Sequence, residues 1–348
     1  MFYVNAKSFV NKLVNRAEIK LGRSRLLSRP VELTMEPTLE CNSNCVMCNR
    51  NFSRQEVKQT KGFLSWDVFN KVRPFFPTAE RVLFGGFGEP LMHPHYLEML
   101  KEIKKSGPFV YVFTNGILLN EMVGKELVDA GMDMICVSMG GATKETYHKI
   151  RGVDAFETVI DNIRRLSAYK KKHGTDLPLI SFNIVAMKSL LLEIVDLVEI
   201  AHEIGVKHIA MPNLVAQGSE LEAESLWLCR DEALTALQKA ATRAERYGIA
   251  FIPPNLDVGQ SSCNALFNRL NINWDGSIMS CAMERYIAGD LNRQTIDEIW
   301  NGKSMQALRR KILTEGLETT CPRCTCWDNN PDNFLKPSVN SRAFAKEI

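Results

Sequence analysis

The chain has 348 residues, which is about two domains at ~150 residues each, or one barrel of ~200–250 residues with an appendage. Hydrophobic residues make up 45% and charged residues 24%; these globular proportions exclude disordered and collagen-like chains and leave ample material for a core. No apolar run approaches the ~18 residues of a membrane span, and a net charge of +3 over this length gives no signal for a nucleic-acid partner.

The first 30 residues carry seven basic side chains (Lys7, Lys12, Arg16, Lys20, Arg23, Arg25 and Arg29) against Glu18. No apolar stretch with a cleavage site marks a signal peptide, so the expected compartment is the reducing cytoplasm. Phe2, Ala6, Phe9, Leu13 and Ala17 share one face of a basic amphipathic helix. The expectation is that this extension caps the open end of the core that follows, in preference to a peripheral membrane contact.

From 31 to 252 short β-rich runs alternate with amphipathic helical stretches. Strands are expected at 31–34, 81–84, 109–113, 134–138, 180–186 and 208–211, with helices such as 120–130, 156–171 and 190–204 between them. In the last of these Leu190, Ile194, Leu197, Val198, Ala201 and Ile204 recur at helix spacing. Alternating strands and helices predict parallel βα units joined by right-handed crossovers. Periodicity alone leaves a barrel and an open doubly wound sheet equally open.

After Pro253-Pro254 the pattern changes. Residues 271–274 and 277–279 flank Asp275-Gly276, a two-residue hairpin signal. A short helix at 296–300, a basic helix through Lys311 and a cysteine group follow. The chain thus divides into an extension (1–30), a core (31–252), a small second domain (253–330) and a tail (331–348). So small a domain gains from a metal staple.

Eight of the ten cysteines fall into two groups, which in a reducing compartment read as metal ligands. Cys136 and Cys229 stand alone and read as small buried hydrophobes. Cys41, Cys45 and Cys48 share one loop directly after the first strand. Three thiolates suit zinc with a distant fourth ligand, or an iron–sulfur cluster that keeps one iron open to an exogenous ligand. His93 and His95, on either side of Pro94, read as capping the loop before the next helix rather than as ligands.

The triplet resembles the C-x3-C-x2-C motif of the radical S-adenosylmethionine (SAM) superfamily, and further segments agree in order and spacing. Gly85-Gly86-Phe87-Gly88-Glu89-Pro90 is similar to the family's GGEP segment, which holds the methionine amino group. Thr114-Asn115-Gly116 ends the third strand, as in many members. Val137-Ser138-Met139-Gly140-Gly141-Ala142-Thr143 resembles V-S-I-D-G-A-T, with Tyr147, Ile150-Arg151-Gly152 and Phe156 at the family's distances. The resemblance covers about residues 31–215 and implies a partial (β/α)6 TIM-type barrel. It implies a [4Fe–4S] cluster on Cys41, Cys45 and Cys48, and SAM contacts from Met47, Gly86, Gly88, Glu89, Ser138 and Asn162. Two positions depart from the pattern. Gly140 stands where Asp is usual, removing a polar group from the mouth, and Met47 stands where an aromatic is frequent.

The second group is Cys263, Cys281, Cys321, Cys324 and Cys326. Spacing alone favours a four-thiolate zinc site. Gly276 with Cys281, Gly289-Asp290-Leu291 and Ile299-Trp300-Asn301 instead resemble the SPASM domain appended to many radical SAM enzymes, here in its shortened one-cluster (twitch) form. That resemblance assigns Cys263, Cys281, Cys321 and Cys324 to a second, auxiliary [4Fe–4S] cluster. Cys326 is left as an alternative ligand or as a catalytic hydrogen or proton donor. The peptide-recognition domain found ahead of many peptide-modifying relatives finds no room before residue 31.

The implied activity is reductive cleavage of SAM and hydrogen abstraction from a small-molecule or peptide substrate, with flavodoxin or ferredoxin as electron donor. A fully ligated auxiliary cluster favours net two-electron oxidation, a dehydrogenation or a radical cross-link. The alternatives are a redox-neutral epimerisation with Cys326, Cys136 or Cys229 as hydrogen donor, and a non-catalytic iron–sulfur or zinc scaffold.

Overall fold

A computed structural model of the chain describes residues 5–48, 50, 62–215, 219–256, 263–281 and 286–320. Cys321, Cys324 and Cys326 lie outside the described residues. After an N-terminal helix α1 (Ala6–Lys20), strands β1 (Glu32–Met35), β2 (Arg81–Phe84), β3 (Phe109–Thr114), β4 (Met134–Met139), β5 (Leu179–Ile184) and β6 (His208–Ala210) follow in sequence order. Helices α2 (Trp66–Val72), α3 (Tyr96–Lys104), α4 (Glu121–Asp129), α5 (Lys144–Arg151), α6 (Phe156–Lys172) and α7 (Ile194–Glu203) lie between them. All six expected strands are present, and they pair in parallel from β1 to β6. This is the α/β partial barrel that the motifs implied.

The stretch expected as one helix over 190–204 is divided. Lys188–Glu193 winds as a 3-10 turn, and the α-helix begins at Ile194. The alternation also misses a strand, β7 (Ala250–Ile252), which follows helix α8 (Arg230–Arg246) and pairs in parallel with β6 through His208↔Ala250. Three half-buried residues next to two prolines carry no readable period.

The second unit continues the same sheet. Strand β8 (Arg269–Ile272) adds to β1 in parallel, and β9 (Ser277–Met279) and β10 (Ile287–Asp290) extend it antiparallel, giving the order β10-β9-β8-β1-β2-β3-β4-β5-β6-β7. Helices α9 (Ile296–Trp300) and α10 (Lys303–Thr320) follow. The β8–β9 connection is longer by one residue than the expected two-residue turn. Gly276 N–H donates to the Asn273 carbonyl at 3.0 Å, Asn273 N–H donates to Ser277 O at 2.9 Å, and Gly276 takes φ +87°. This is the three-residue hairpin with a left-handed glycine.

Strand alternation separates two chemistries on the sheet. Leu33, Met35, Val82, Phe84, Val110, Val112, Leu270 and Ile272 join the apolar core with Phe69, Tyr96, Met99 and Leu100 of the covering helices. The opposite face carries Glu32, Arg81, Arg269 and Tyr111, with Glu32 3.1 Å from Arg269, 3.5 Å from Arg81 and 2.8 Å from the Tyr111 hydroxyl. Burial opposes the charge of Glu32, yet the two guanidiniums outweigh it and hold the carboxyl below its ordinary value. The network ties β8 to β1, β2 and β3 from inside the barrel. Among the described residues no helix is long and apolar enough to cross a membrane.

Helix α1 does lie across the N-terminal ends of the strands, but with the opposite face inward from the one its apolar residues suggest. Ser8, Asn15 and Glu18 are buried, whereas Ala6, Phe9, Leu13 and Ala17 are exposed. The cause is hydrogen bonding. Asn11 donates to the carbonyls of Arg29 and Thr78, Asn15 donates to Ser28 Oγ and Phe267 O, and Glu18 accepts from the backbone N–H groups of Leu27 and Ser28.

Candidate active site

The loop 36–48 leaves the C-terminal end of β1, at the barrel end opposite α1, and is held by every neighbouring segment. Glu36 N–H donates to Ile272 O at 2.9 Å, and Glu89 N–H to Glu40 O at 2.7 Å. Asn44 and Val46 donate to the last carbonyls of α5, Arg151 O and Ile150 O, at 3.1 and 3.0 Å. The loop thus satisfies acceptors that a helix end would otherwise leave open. Arg50, two residues after the last cysteine, donates to Leu39 O and Ser43 O.

Glycines make this packing possible. A methyl group on Gly88 would lie 2.1 Å from Thr38 O and 2.7 Å from Glu40 O; on Gly86, 2.5 Å from Glu36 Cγ; on Gly152, 2.4 Å from Asn44 O. Gly152 also sits at φ +65°, the left-handed end of α5. The motif glycines therefore let the β2 loop and the α5 terminus press directly on the cysteine loop.

Cys45 is buried, and Cys41 and Cys48 are half-buried; none of the three is in a disulfide. Burial raises the pKa of Cys41, opposed by a backbone contact at Ser43 and the charge of Arg50. It raises that of Cys45 as well, opposed chiefly by Arg151. Asn115 reaches into the same loop, its amide 2.6 Å from Asn42 Oδ1, 3.1 Å from Ser43 Oγ and 3.9 Å from Cys41 Sγ. Among the described residues no three His, Cys, Asp or Glu side chains converge on one ion.

Glu89 is almost fully buried. Its carboxylate accepts from Asn115 N–H at 2.7 Å, Thr114 Oγ1 at 2.8 Å and Leu91 N–H at 3.2 Å. Burial pushes its pKa up, and these donors pull against that shift. Glu89 thus fastens the end of β2 to the end of β3. Asn162 on α6 is equally committed, donating to Gly116 O and Ile117 O. Ser138 is half-buried near the C-terminal end of β4, and Met47 is half-buried against the core.

Arg151 is the residue the motif reading undervalued. It is buried, its charge acts on Cys45, Glu89 and Tyr147, and its Nε has no hydrogen-bond partner among the described residues. It also accounts for the departure at Gly140, where a methyl group would meet Arg151 Cγ at 2.5 Å and Cδ at 2.7 Å. In this chain the space beside Gly140 is taken by the stem of Arg151.

His93 and His95 act as expected on the loop. His93 Nδ1 accepts from His95 N–H at 3.1 Å, its Nε2 lies 3.0 Å from Leu64 O, and burial keeps its pKa low. In the second unit, Cys263 and Cys281 are half-buried, and Ala265 N–H points at Cys263 Sγ from 3.5 Å. Cys136 has no exposed surface, and burial drives its pKa far up.

Residues 35–201 match the family model of the Radical SAM superfamily, and residues 263–325 match that of the SPASM iron–sulfur cluster-binding domain. The chain is 24% identical over 339 residues to the tungsten-containing aldehyde ferredoxin oxidoreductase cofactor-modifying protein of Pyrococcus furiosus, covering 86% of this chain and 92% of that one. In fold it is similar to Streptococcus suis SuiB bound to the precursor peptide SuiA, with TM-score 0.65, 16% identity and coverage of 86% and 70% of the two chains. It is also similar to anSMEcpe with bound AdoMet, with TM-score 0.63, 18% identity and coverage of 80% and 82%.

Proposed function

The chain belongs to the radical SAM superfamily, with a SPASM domain behind its core, and from that premise we propose that it oxidises a small-molecule or peptide substrate by two electrons. The radical SAM domain brings S-adenosylmethionine and a [4Fe–4S] cluster, and the SPASM domain brings further iron–sulfur chemistry. When bound, these groups supply a one-electron reductive cleavage of SAM to methionine and a 5′-deoxyadenosyl radical able to take hydrogen from an unactivated carbon. The electron for cleavage comes from a donor of the flavodoxin or ferredoxin type in the cytoplasm. Cys263, Cys281, Cys321 and Cys324 would hold an auxiliary cluster, which would supply an acceptor for the one further electron that the substrate, after hydrogen abstraction, loses together with one proton in becoming a dehydrogenated or cross-linked product.

The observation that carries the reading is the loop 36–48, clamped by Gly86, Gly88 and Gly152 with three cysteines outside any disulfide beside a buried arginine. Cys41, Cys45 and Cys48 would hold the cluster and leave one coordination position for SAM. Arg151 brings a fixed positive charge with an unused donor, suited to a carboxylate. In this reading Met47, Ser138 and the backbone at Gly86 and Gly88 would contact SAM. Asn115 and the Glu89 N–H hold that loop directly, the Glu89 carboxylate holds Asn115, and Asn162 holds the carbonyls of Gly116 and Ile117 that follow it; a rigid frame is what orients a reacting carbon.

The test is anaerobic purification with iron and sulfide analysis, then reduction in the presence of SAM. Methionine and 5′-deoxyadenosine should form with the natural chain and not with Cys41, Cys45 and Cys48 all replaced by Ala. About one zinc, no sulfide and no cleavage would instead identify a structural scaffold. Product in which the abstracted hydrogen has been replaced at unchanged oxidation level would identify an epimerase. Its donor would be Cys326, Cys136 or Cys229.

A further inference from the structure

Helix α1 is amphipathic in the reverse of the usual sense: its polar face is docked on the barrel and its apolar face is left outside. The inward face is fixed by seven hydrogen bonds of Asn11, Asn15 and Glu18 and by the Lys12–Glu80 pair at 2.7 Å, so a roll of the helix would break them all. The outward stripe consists of Phe9, Val10 and Leu13, continued by Leu21 and by Leu27 on the following loop, each 48–81% exposed. Leu313 of α10, also exposed, lies beside Gly22 and widens the patch. A contiguous apolar surface of this kind marks a binding face.

Its charge selects the occupant. Lys7, Arg16, Lys20, Arg23 and Arg25 are exposed around the stripe. The sole carboxylate of residues 5–30, Glu18, is turned inward against Leu27 and Ser28 N–H. An apolar stripe whose own helix and following loop, residues 5–30, present five exposed cations and no outward carboxylate matches an anionic lipid surface, which takes apolar side chains into its acyl boundary and cations at its headgroups. The geometry is also permissive. The helix touches Thr78, Glu80, Ser106 and Phe267, all just ahead of β2, β3 and β8, at the barrel end opposite the cysteine loop.

We propose that the outer face of α1, with Leu21 and Leu27, docks the protein on an anionic membrane surface as a peripheral contact, with the cysteine-bearing mouth facing away from the lipid. The inference does not depend on the reaction catalysed.

The test is flotation of the full chain, both clusters intact, with vesicles of phosphatidylcholine alone or mixed with phosphatidylglycerol. The protein should float with the mixed vesicles at low salt, and leave them at high salt or when phosphatidylglycerol is omitted. Phe9→Glu with Leu13→Glu should abolish flotation. Lys20→Gln with Arg23→Gln should lower partitioning about thirtyfold, at ~1 kcal/mol per charge. Unchanged iron content and circular dichroism establish folding of each variant, and Leu27→Glu is the second apolar variant should the double change not fold. No flotation at low salt overturns the proposal, as does flotation indifferent to the glutamates. A wild-type dimer that the same glutamates make monomeric, without vesicle binding, would assign the stripe to a second copy of the chain. Flotation appearing only after deletion of residues 321–348 would assign it to the chain's own C-terminal segment.

Discussion

Replacing Gly88 by Ala should empty the first cluster site while leaving the barrel folded. The added methyl group would lie 2.1 Å from Thr38 O and 2.7 Å from Glu40 O, where real contacts begin near 3.0 Å, so the loop must retreat by about 0.9 Å. Both obstacles are backbone atoms of the cysteine loop, so no side-chain rotation relieves them. The retreat strains the 2.7 Å bond from Glu89 N–H to Glu40 O. Overpacking costs about 1–3 kcal/mol and the lost bond about 1 kcal/mol more, a local penalty of ~2–4 kcal/mol. Gly85, three residues earlier, is the control: a methyl group there meets Pro90 Cγ at 3.4 Å and Leu83 Cδ1 at 3.5 Å, ordinary contacts. The assay is iron and sulfide per chain after anaerobic reconstitution, with 5′-deoxyadenosine formation as the second readout. Gly88→Ala should fall to the iron of the auxiliary site and lose SAM cleavage, whereas Gly85→Ala should match the natural chain. Full iron and full cleavage in Gly88→Ala would refute the clamp. Equal damage from Gly85→Ala would show that backbone freedom, not contact with the loop, is what the segment needs.

Glu89→Gln turns an acceptor oxygen into an amide that faces the Asn115 N–H or the Thr114 hydroxyl; it should cost about 1–3 kcal/mol, seen as a melting point lower by a few degrees with iron retained. Arg151→Met keeps the buried stem but removes the cation beside Cys45; SAM affinity by calorimetry should drop about ten- to a hundredfold, the range for bonds to a charged group, and an unchanged affinity would remove Arg151 from the site. Cys263→Ala with Cys281→Ala should remove the auxiliary iron and abolish product while SAM is still cleaved, with deuterium from labelled substrate appearing in 5′-deoxyadenosine. Full product from that folded variant would count against the auxiliary cluster as electron acceptor.

What the sequence by itself determined are the features written in local chemistry. Thiols at 41, 45 and 48, the βα alternation, and the caps at Asn120 and Thr143, each accepting from a backbone N–H three residues on, need only neighbours along the chain. The same holds for the identity of the core domain, because its motifs are short segments at the ends of successive strands. Tertiary structure alone decided what joins segments remote in sequence. Glu89 reads as a contact for the methionine amino group of SAM, and only the fold shows that its carboxylate also accepts from three protein donors and so joins the ends of β2 and β3. Gly140 reads as a lost polar group, yet its missing side chain is the space that Arg151 occupies. Strand β8 finds β1 across more than 230 residues, and nothing in either tetrapeptide names its partner. Helix α1 shows the reason most directly. Hydrophobic period says which residues share a face, but the direction of that face depends on which polar groups the docking surface offers. Here unpaired carbonyls and N–H groups at the strand entrances drew in Asn11, Asn15 and Glu18 and left the apolar stripe outside.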